Sequence, residues 1–190
     1  KTLVEACVAY MRMKMDIHVT EDELYNVAAM KVAIETMAKK YGCNAAVIQC
    51  WNALQDELGV MPCCANSLLF DEGFPVVCET DIHGAITSLL IQAAGMDEHP
   101  VFFADWTVRH PTNDNAELLQ HCGPWPLSLA KERPQLTYPL AFDYPGAVAA
   151  ECKHGNVTLC RFDGDNGEYS LLLGTAKGID GPYTKGTYLW

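Results

Sequence analysis

Glu79, Asp81 and His83 place two carboxylates and an imidazole at every second position, directly after the apolar run of residues 75–78. A carboxylate beside buried apolar surface is costly unless it is paired or coordinated. Asp105 stands in the same relation to "PVFFAD", and His121 closes "LLQH" before Cys122 and Gly123. Two carboxylates from neighbouring strands can share one hard divalent cation, and an imidazole nitrogen can add a third ligand. Plainer roles compete. Asp81 directly precedes a helical run and is better placed to cap it than to ligate, and Glu79 has the same option. His83 and His110 read as surface or supporting polar residues. Trp51 has an ordinary place in a core. Asp163 and Asp165 in "DGDNGE" lack the full spacing of a calcium loop and read as a turn.

Three short runs, 45–50, 75–78 and 100–105, lack polar alternation, as do strands buried on both faces of a parallel sheet. The helical stretches "WNALQDELG" and "ITSLLIQAAG" lie between them. Strand–helix–strand–helix–strand order implies right-handed crossovers and an α/β fold with a Rossmann-like parallel sheet. Ligands of such sheets bind at the carboxyl ends of the strands. That rim would carry Gln49, Trp51, Glu79 and Asp105, with His121 within reach. Upstream, Thr20 and Glu23 form a capping box, acids fill the first turn, Lys39 and Lys40 the last, and Gly42 is placed to end the helix. Residues 2–14 form a weaker helical segment. Beyond residue 124 the texture becomes proline-rich, then breaks into short strand-like runs separated by Gly, Asn and Asp. We therefore expect an α/β unit over 1–125 and a β unit over 126–190.

The chain has 190 residues, 49% hydrophobic and 19% charged, with a net charge of −11. A packed core follows from the first two figures. The acidic balance argues against nucleic acid and against an anionic membrane surface as partners, and no run approaches the roughly 20 apolar residues of a membrane span. Nine cysteines without a CxxC pair fit a reduced, cytoplasmic chain in which Cys50 and Cys78 act as small hydrophobes. The start at Lys1 and the finish at "GTYLW" suggest a piece of a longer protein.

"PCCANSLLFDEGFPVVCETDIHGAI", "FFADWTVRHPTNDN" and "LLQHCG" resemble the L-fucose/L-arabinose isomerase family, in particular its fucose-isomerase-like branch. The resemblance runs over residues 45–130 and continues weakly beyond. It implies an α/β domain followed by part of a β-barrel domain, and a homo-oligomer, a hexamer in the family. It also implies Mn²⁺ or another divalent cation held by Glu79 and Asp105, with His121 at the distance of a further ligand. The implied reaction is aldose–ketose isomerisation of a small sugar through an enediol(ate). Glu79 and Asp105 would move the proton between C1 and C2, and Gln49 and Trp51 would line the sugar site. The alternative is a sugar-binding or regulatory module without turnover, which has no need of two acids at one rim. With the family's other ligand and covering domain outside these residues, the chain alone is expected to fold but not to catalyse.

Overall fold

The computed structural model describes residues 2–96, 98–141 and 143–190. Helix α1 (Thr2–Lys14), strand β1 (Asp16–Ile17) and helix α2 (Glu21–Tyr41) open the chain. Strand β2 (Ala46–Val47), helices α3 (Ala53–Leu58) and α4 (Cys63–Asp71), strand β3 (Val76–Val77) and helix α5 (Ile82–Ala94) follow. The rest is β: β4 (Asp105–His110), β5 (Asn113–His121), a 3₁₀ turn at Leu127–Leu129, β6 (Gln135–Thr137), β7 (Ala147–Glu151), β8 (Asn156–Asp165), β9 (Glu168–Lys177) and β10 (Thr187–Leu189). The fold is α/β. A six-stranded mixed sheet runs β1-β6-β7-β10-β5-β4, and β2–β3 and β8–β9 form separate two-stranded ladders.

Local chemistry explains several boundaries. Glu23 N–H donates to Thr20 Oγ1 at 3.3 Å, and Thr20 N–H donates to Glu23 Oε2 at 2.8 Å, closing the capping box of α2. Gly42 ends that helix at φ 63°, where a residue with a Cβ would be strained. Asn166 and Gly167, at φ 50° and 83°, form the two-residue turn joining β8 to β9. Asp163 and Asp165 thus belong to a hairpin end, as their spacing suggests.

The main core packs α1, α2 and α4 on β6 and β7, with Met11, Met15, Leu24, Val27, Cys64, Leu68, Leu136 and Val148 all buried. Every residue of α4 from Cys63 to Phe70 is buried. That helix carries no amphipathic signal because it has no wet face. Arg133 fastens the sheet to the end of α1: its guanidinium donates to the carbonyls of Met13 (2.8 Å), Arg12 (2.7 Å) and Met15 (2.8 Å) and to Asp16 Oδ1 (2.7 Å). A cation there satisfies helix-end carbonyls and complements the helix dipole.

The parallel layer is shorter than its sequence suggests. β2 and β3 pair in parallel, Ala46 with Val76 and Val47 with Val77, but residues 100–104 do not form a third strand. Their apolar side chains serve packing instead: Phe102 stacks on Trp125 with ring centroids 4.1 Å apart, and Phe103 N–H donates to Pro124 O at 3.1 Å. Asp105 consequently opens an antiparallel strand of the large sheet, opposite Gln120 on β5, rather than ending a neighbour of β3.

Candidate functional site

The β2–β3 ladder continues past its formal ends. Ile48 N–H donates to Val77 O at 2.9 Å, and Thr80 N–H donates back to Ile48 O at 3.1 Å. Gln49, Trp51, Glu79 and Thr80 therefore emerge together and exposed at the carboxyl edge, with Cys50 and Cys78 buried beneath them. Gln55 of α3 donates to Cys50 O at 2.8 Å and fixes the first of these strand exits. The Trp51 indole N–H donates to Glu79 Oε1 at 3.3 Å, so the structure joins two of the residues the sequence singles out. Three non-glycine residues hold left-handed backbone here: Asn52 at φ 55°, Glu79 at 62° and Thr80 at 54°. Such conformations cost about 1–3 kcal/mol each and cluster at functional sites.

Asp81 takes the capping role, accepting from Gly84 N–H at 2.8 Å at the start of α5. Burial alone would raise its pKa, but the Arg161 guanidinium and the Gly84 N–H outweigh it and hold the carboxyl below the usual range. His83 turns to the β8–β9 ribbon, with Nδ1 3.0 Å from Asp163 Oδ1. Phe162 N–H donates to Thr87 Oγ1 at 2.9 Å, completing the seam between α5 and β8.

Asp105 is exposed and lies opposite Gln120. Residues directly opposite across a ladder share a face and successive residues alternate, so His121 presents to the other face. His121 is 7% exposed, and its Nδ1 accepts from Cys122 N–H at 3.0 Å. A neutral imidazole accepting at Nδ1 carries its proton on Nε2. Nε2 is then a donor rather than a metal ligand, and among the described residues it is buried without a hydrogen-bond partner. Glu79, Asp105 and His121 do not come together as a set of three with ligand atoms within 4.8 Å of one another. Among the described residues, a metal-sized grouping of three occurs at Glu151, His154 and Asp180, with ligand atoms within 4.8 Å. Lys131 already stands in it, its Nζ 3.0 Å from Glu151 Oε1 and 3.7 Å from Asp180 Oδ1, while His154 Nε2 lies 3.0 Å from the same Glu151 oxygen. The Glu-x-x-His spacing of residues 151 and 154 is the sequence signal that would have found this cluster.

Sequence reasoning also missed a contact chain of buried sulfur. Cys50 adjoins Cys78, Cys78 adjoins Cys63, and Cys63 adjoins Cys122. Asn66 Nδ2 adds a hydrogen bond to Cys78 Sγ at 3.4 Å. Hydrogen bonding from Cys50, then from Cys63, holds the Cys78 thiol well below its ordinary pKa despite burial, and the donors rise in turn. Cys63 has one proton and serves one neighbour at a time. When that proton turns to Cys122, the Cys122 thiol falls to about 7.

No family model matches the chain. Three curated proteins named sulfoquinovose isomerase are similar to it. Those of Priestia aryabhattai and Priestia megaterium (strain ATCC 12872 / QMB1551) are each 28% identical over 148 residues, covering 74% of this chain and 32% of the relative. That of Alkalicoccus urumqiensis is 29% identical over 149 residues, covering 73% and 31%. The chain thus spans about a third of the length of the curated relatives it matches. No helix among the described residues is long and apolar enough to cross a membrane.

Proposed function

We propose that this chain is a segment of a sugar aldose–ketose isomerase, with Glu79 at the β2–β3 rim as its principal proton carrier. The observation that carries the reading is the similarity to three proteins named sulfoquinovose isomerase over about three quarters of the chain. The rim supports it locally. An exposed carboxylate at the end of a parallel strand, held by an indole N–H on strained backbone, is placed to take a proton from one sugar carbon and return it to the next. Trp51 positions that carboxylate and offers an apolar face to a sugar ring. Gln49, exposed beside it, offers an amide to hydroxyl groups.

Asp105 and Glu79 offer the hard carboxylate oxygens that Mn²⁺ prefers, whereas His121 in its present tautomer does not fit as a ligand. Two carboxylates do not complete a cage, so further ligands and a cover over the sugar would come from residues outside this chain. When bound, such a cation would polarise the sugar's oxygens. We further propose that the whole protein is a homo-oligomer and that the 190-residue chain alone is inactive.

The test is turnover by the protein carrying these residues, with Mn²⁺, on sulfoquinovose, L-fucose, D-arabinose and L-arabinose, with Glu79→Gln in parallel. Isomerisation of at least one of these sugars, lost in Glu79→Gln while the folded content is unchanged, supports the reading. Binding of the sugars with no turnover would favour a non-catalytic module. Wild-type rates in Glu79→Gln would remove Glu79 from the mechanism.

A further inference from the structure

Four of the nine cysteines meet in the folded chain although they are far apart in sequence. Cys50 and Cys78 close the two parallel strands, Cys63 opens α4, and Cys122 follows β5. Cys50, Cys63 and Cys78 are 5%, 2% and 0% exposed, whereas Cys122 is only partly buried. The backbone after Cys122 lies so close to α4 that a Cβ at Gly123 would overlap the Cα and Cβ of Cys63. That approach sets Cys63 against the chain at Cys122, and the two cysteine side chains are hydrogen-bonded. His121 directly precedes Cys122 in the chain, and its buried Nε2 has no hydrogen-bond partner among the described residues. An unsatisfied N–H beside Cys122 in the chain can donate to a newly formed S–O oxygen.

We propose that Cys122 and Cys63 form an oxidisable pair that a hydroperoxide converts to a disulfide, with Cys78 placed to receive the bond by exchange. The sulfur of Cys122 attacks the distal oxygen of the peroxide, the O–O bond breaks, and Cys122 becomes a sulfenic acid as water or an alcohol departs. The sulfur of Cys63 then attacks that of Cys122. The S–O bond breaks, the S–S bond forms, and the hydroxide leaves as water with the Cys63 proton. Two electrons pass from the thiol pair to the peroxide. Attack of Cys78 on Cys63 would next move the bond inward and return Cys122 as a thiol, without further electron transfer. Partial exposure makes Cys122 the starting sulfur, because a peroxide cannot reach Cys63 or Cys78 first. The proposal rests on sulfur geometry and is independent of the isomerase reading.

The experiment uses the 190-residue chain as the Cys43→Ser variant, since Cys43 is exposed and would otherwise report first. The folded protein is treated with a small molar excess of hydrogen peroxide, its remaining thiols are blocked, and its peptides are mapped by mass spectrometry. The expected products are peptides joining Cys63 to Cys122 or Cys63 to Cys78, cleaved by dithiothreitol and absent when Cys122→Ser is added. Peptides without such a link, or links formed equally in the Cys122→Ser protein, would overturn the proposal. Alkylation of the unoxidised folded chain gives a second reading that needs no substitution at the pair. Cys122 should react before Cys50, Cys63 and Cys78, and peroxide should protect Cys63 together with either Cys122 or Cys78. Protection of Cys122 alone, or reaction of Cys78 first, would also overturn it.

Discussion

The β2–β3 rim and the Glu151–His154–Asp180 cluster place acidic groups at the ends of strands in opposite ways. At the cluster the acids have found a cation within the protein. Lys131 and His154 share one Glu151 oxygen, and Asp180 stands beside both. Lys131 offsets part of the negative charge, none of these positions has a positive φ, and a divalent ion would first have to displace the ammonium. At the rim Glu79 has an indole N–H rather than a cation as its hydrogen-bond partner, on backbone that most residues avoid. Proximity of ligand atoms therefore marks an ionic network in the first case, while strained backbone and an acid with no cation beside it among the described residues distinguish the rim proposed as the site.

The sharpest way to break this comparison is to neutralise each acid. Glu79→Gln should lower turnover of the protein carrying this chain by about 100-fold or more, the scale of lost acid–base catalysis, with the denaturation midpoint unchanged. Glu151→Gln should do the reverse, lowering the midpoint and sparing turnover. Equal effects on turnover would erase the distinction. A finer cut is Trp51→Phe, which keeps an aromatic ring but removes the N–H that holds Glu79. Between exposed groups that bond contributes about 1 kcal/mol, so steady-state kinetics should show roughly a fivefold loss in kcat.

Asp81 tests the α5 seam that borders the rim. Asp81→Asn keeps an oxygen to cap α5 but removes the charge opposite Arg161, and should cost up to about 1 kcal/mol by urea denaturation at pH 7. Because its carboxyl is held below the unfolded value, the unfolded chain binds the proton more readily. The contribution is thus fully present above about pH 4 and is lost as the pH falls through the folded value. The gap between wild type and Asp81→Asn should narrow in acid, and a gap that widened there would refute the assignment. The smallest effect belongs to the cluster. Lys131→Met vacates the cation's place, so weak Mn²⁺ uptake, read as line broadening of the His154 ring protons, should appear in the variant and not in the wild type.

What the sequence reveals follows from how local each interaction is. The α2 capping box, the Asp81 cap and the Asn166–Gly167 turn are settled within four residues and are legible. Strands β2 and β3 are legible as apolar runs, and the exit of Glu79 beside Trp51 follows from their parallel pairing. The run at 100–104 misleads because burial, not strand pairing, explains its apolar character. Helix α4 is hidden because it is buried all round. His121 reads as a ligand until the adjacent Cys122 N–H fixes its tautomer. The sulfur chain joins residues 50, 78, 63 and 122 through tertiary packing alone, so no spacing rule announces it.

The β8–β9 ribbon has a consequence for handling the molecule. Its β8 side is fastened to α5, and Leu171, Leu172 and Leu173 on the outer strand are 52%, 59% and 65% exposed. Successive residues point to opposite faces, so the ribbon shows leucine on both sides and an unpaired edge as well, a combination that invites sticking. The net charge of −11 opposes such sticking by mutual repulsion. That repulsion reaches about 10 Å in 0.1 M salt and only about 3 Å in 1 M. Solubility of the isolated chain should therefore fall as salt is added, and dilute, low-salt buffers near or above neutral pH will keep it dispersed.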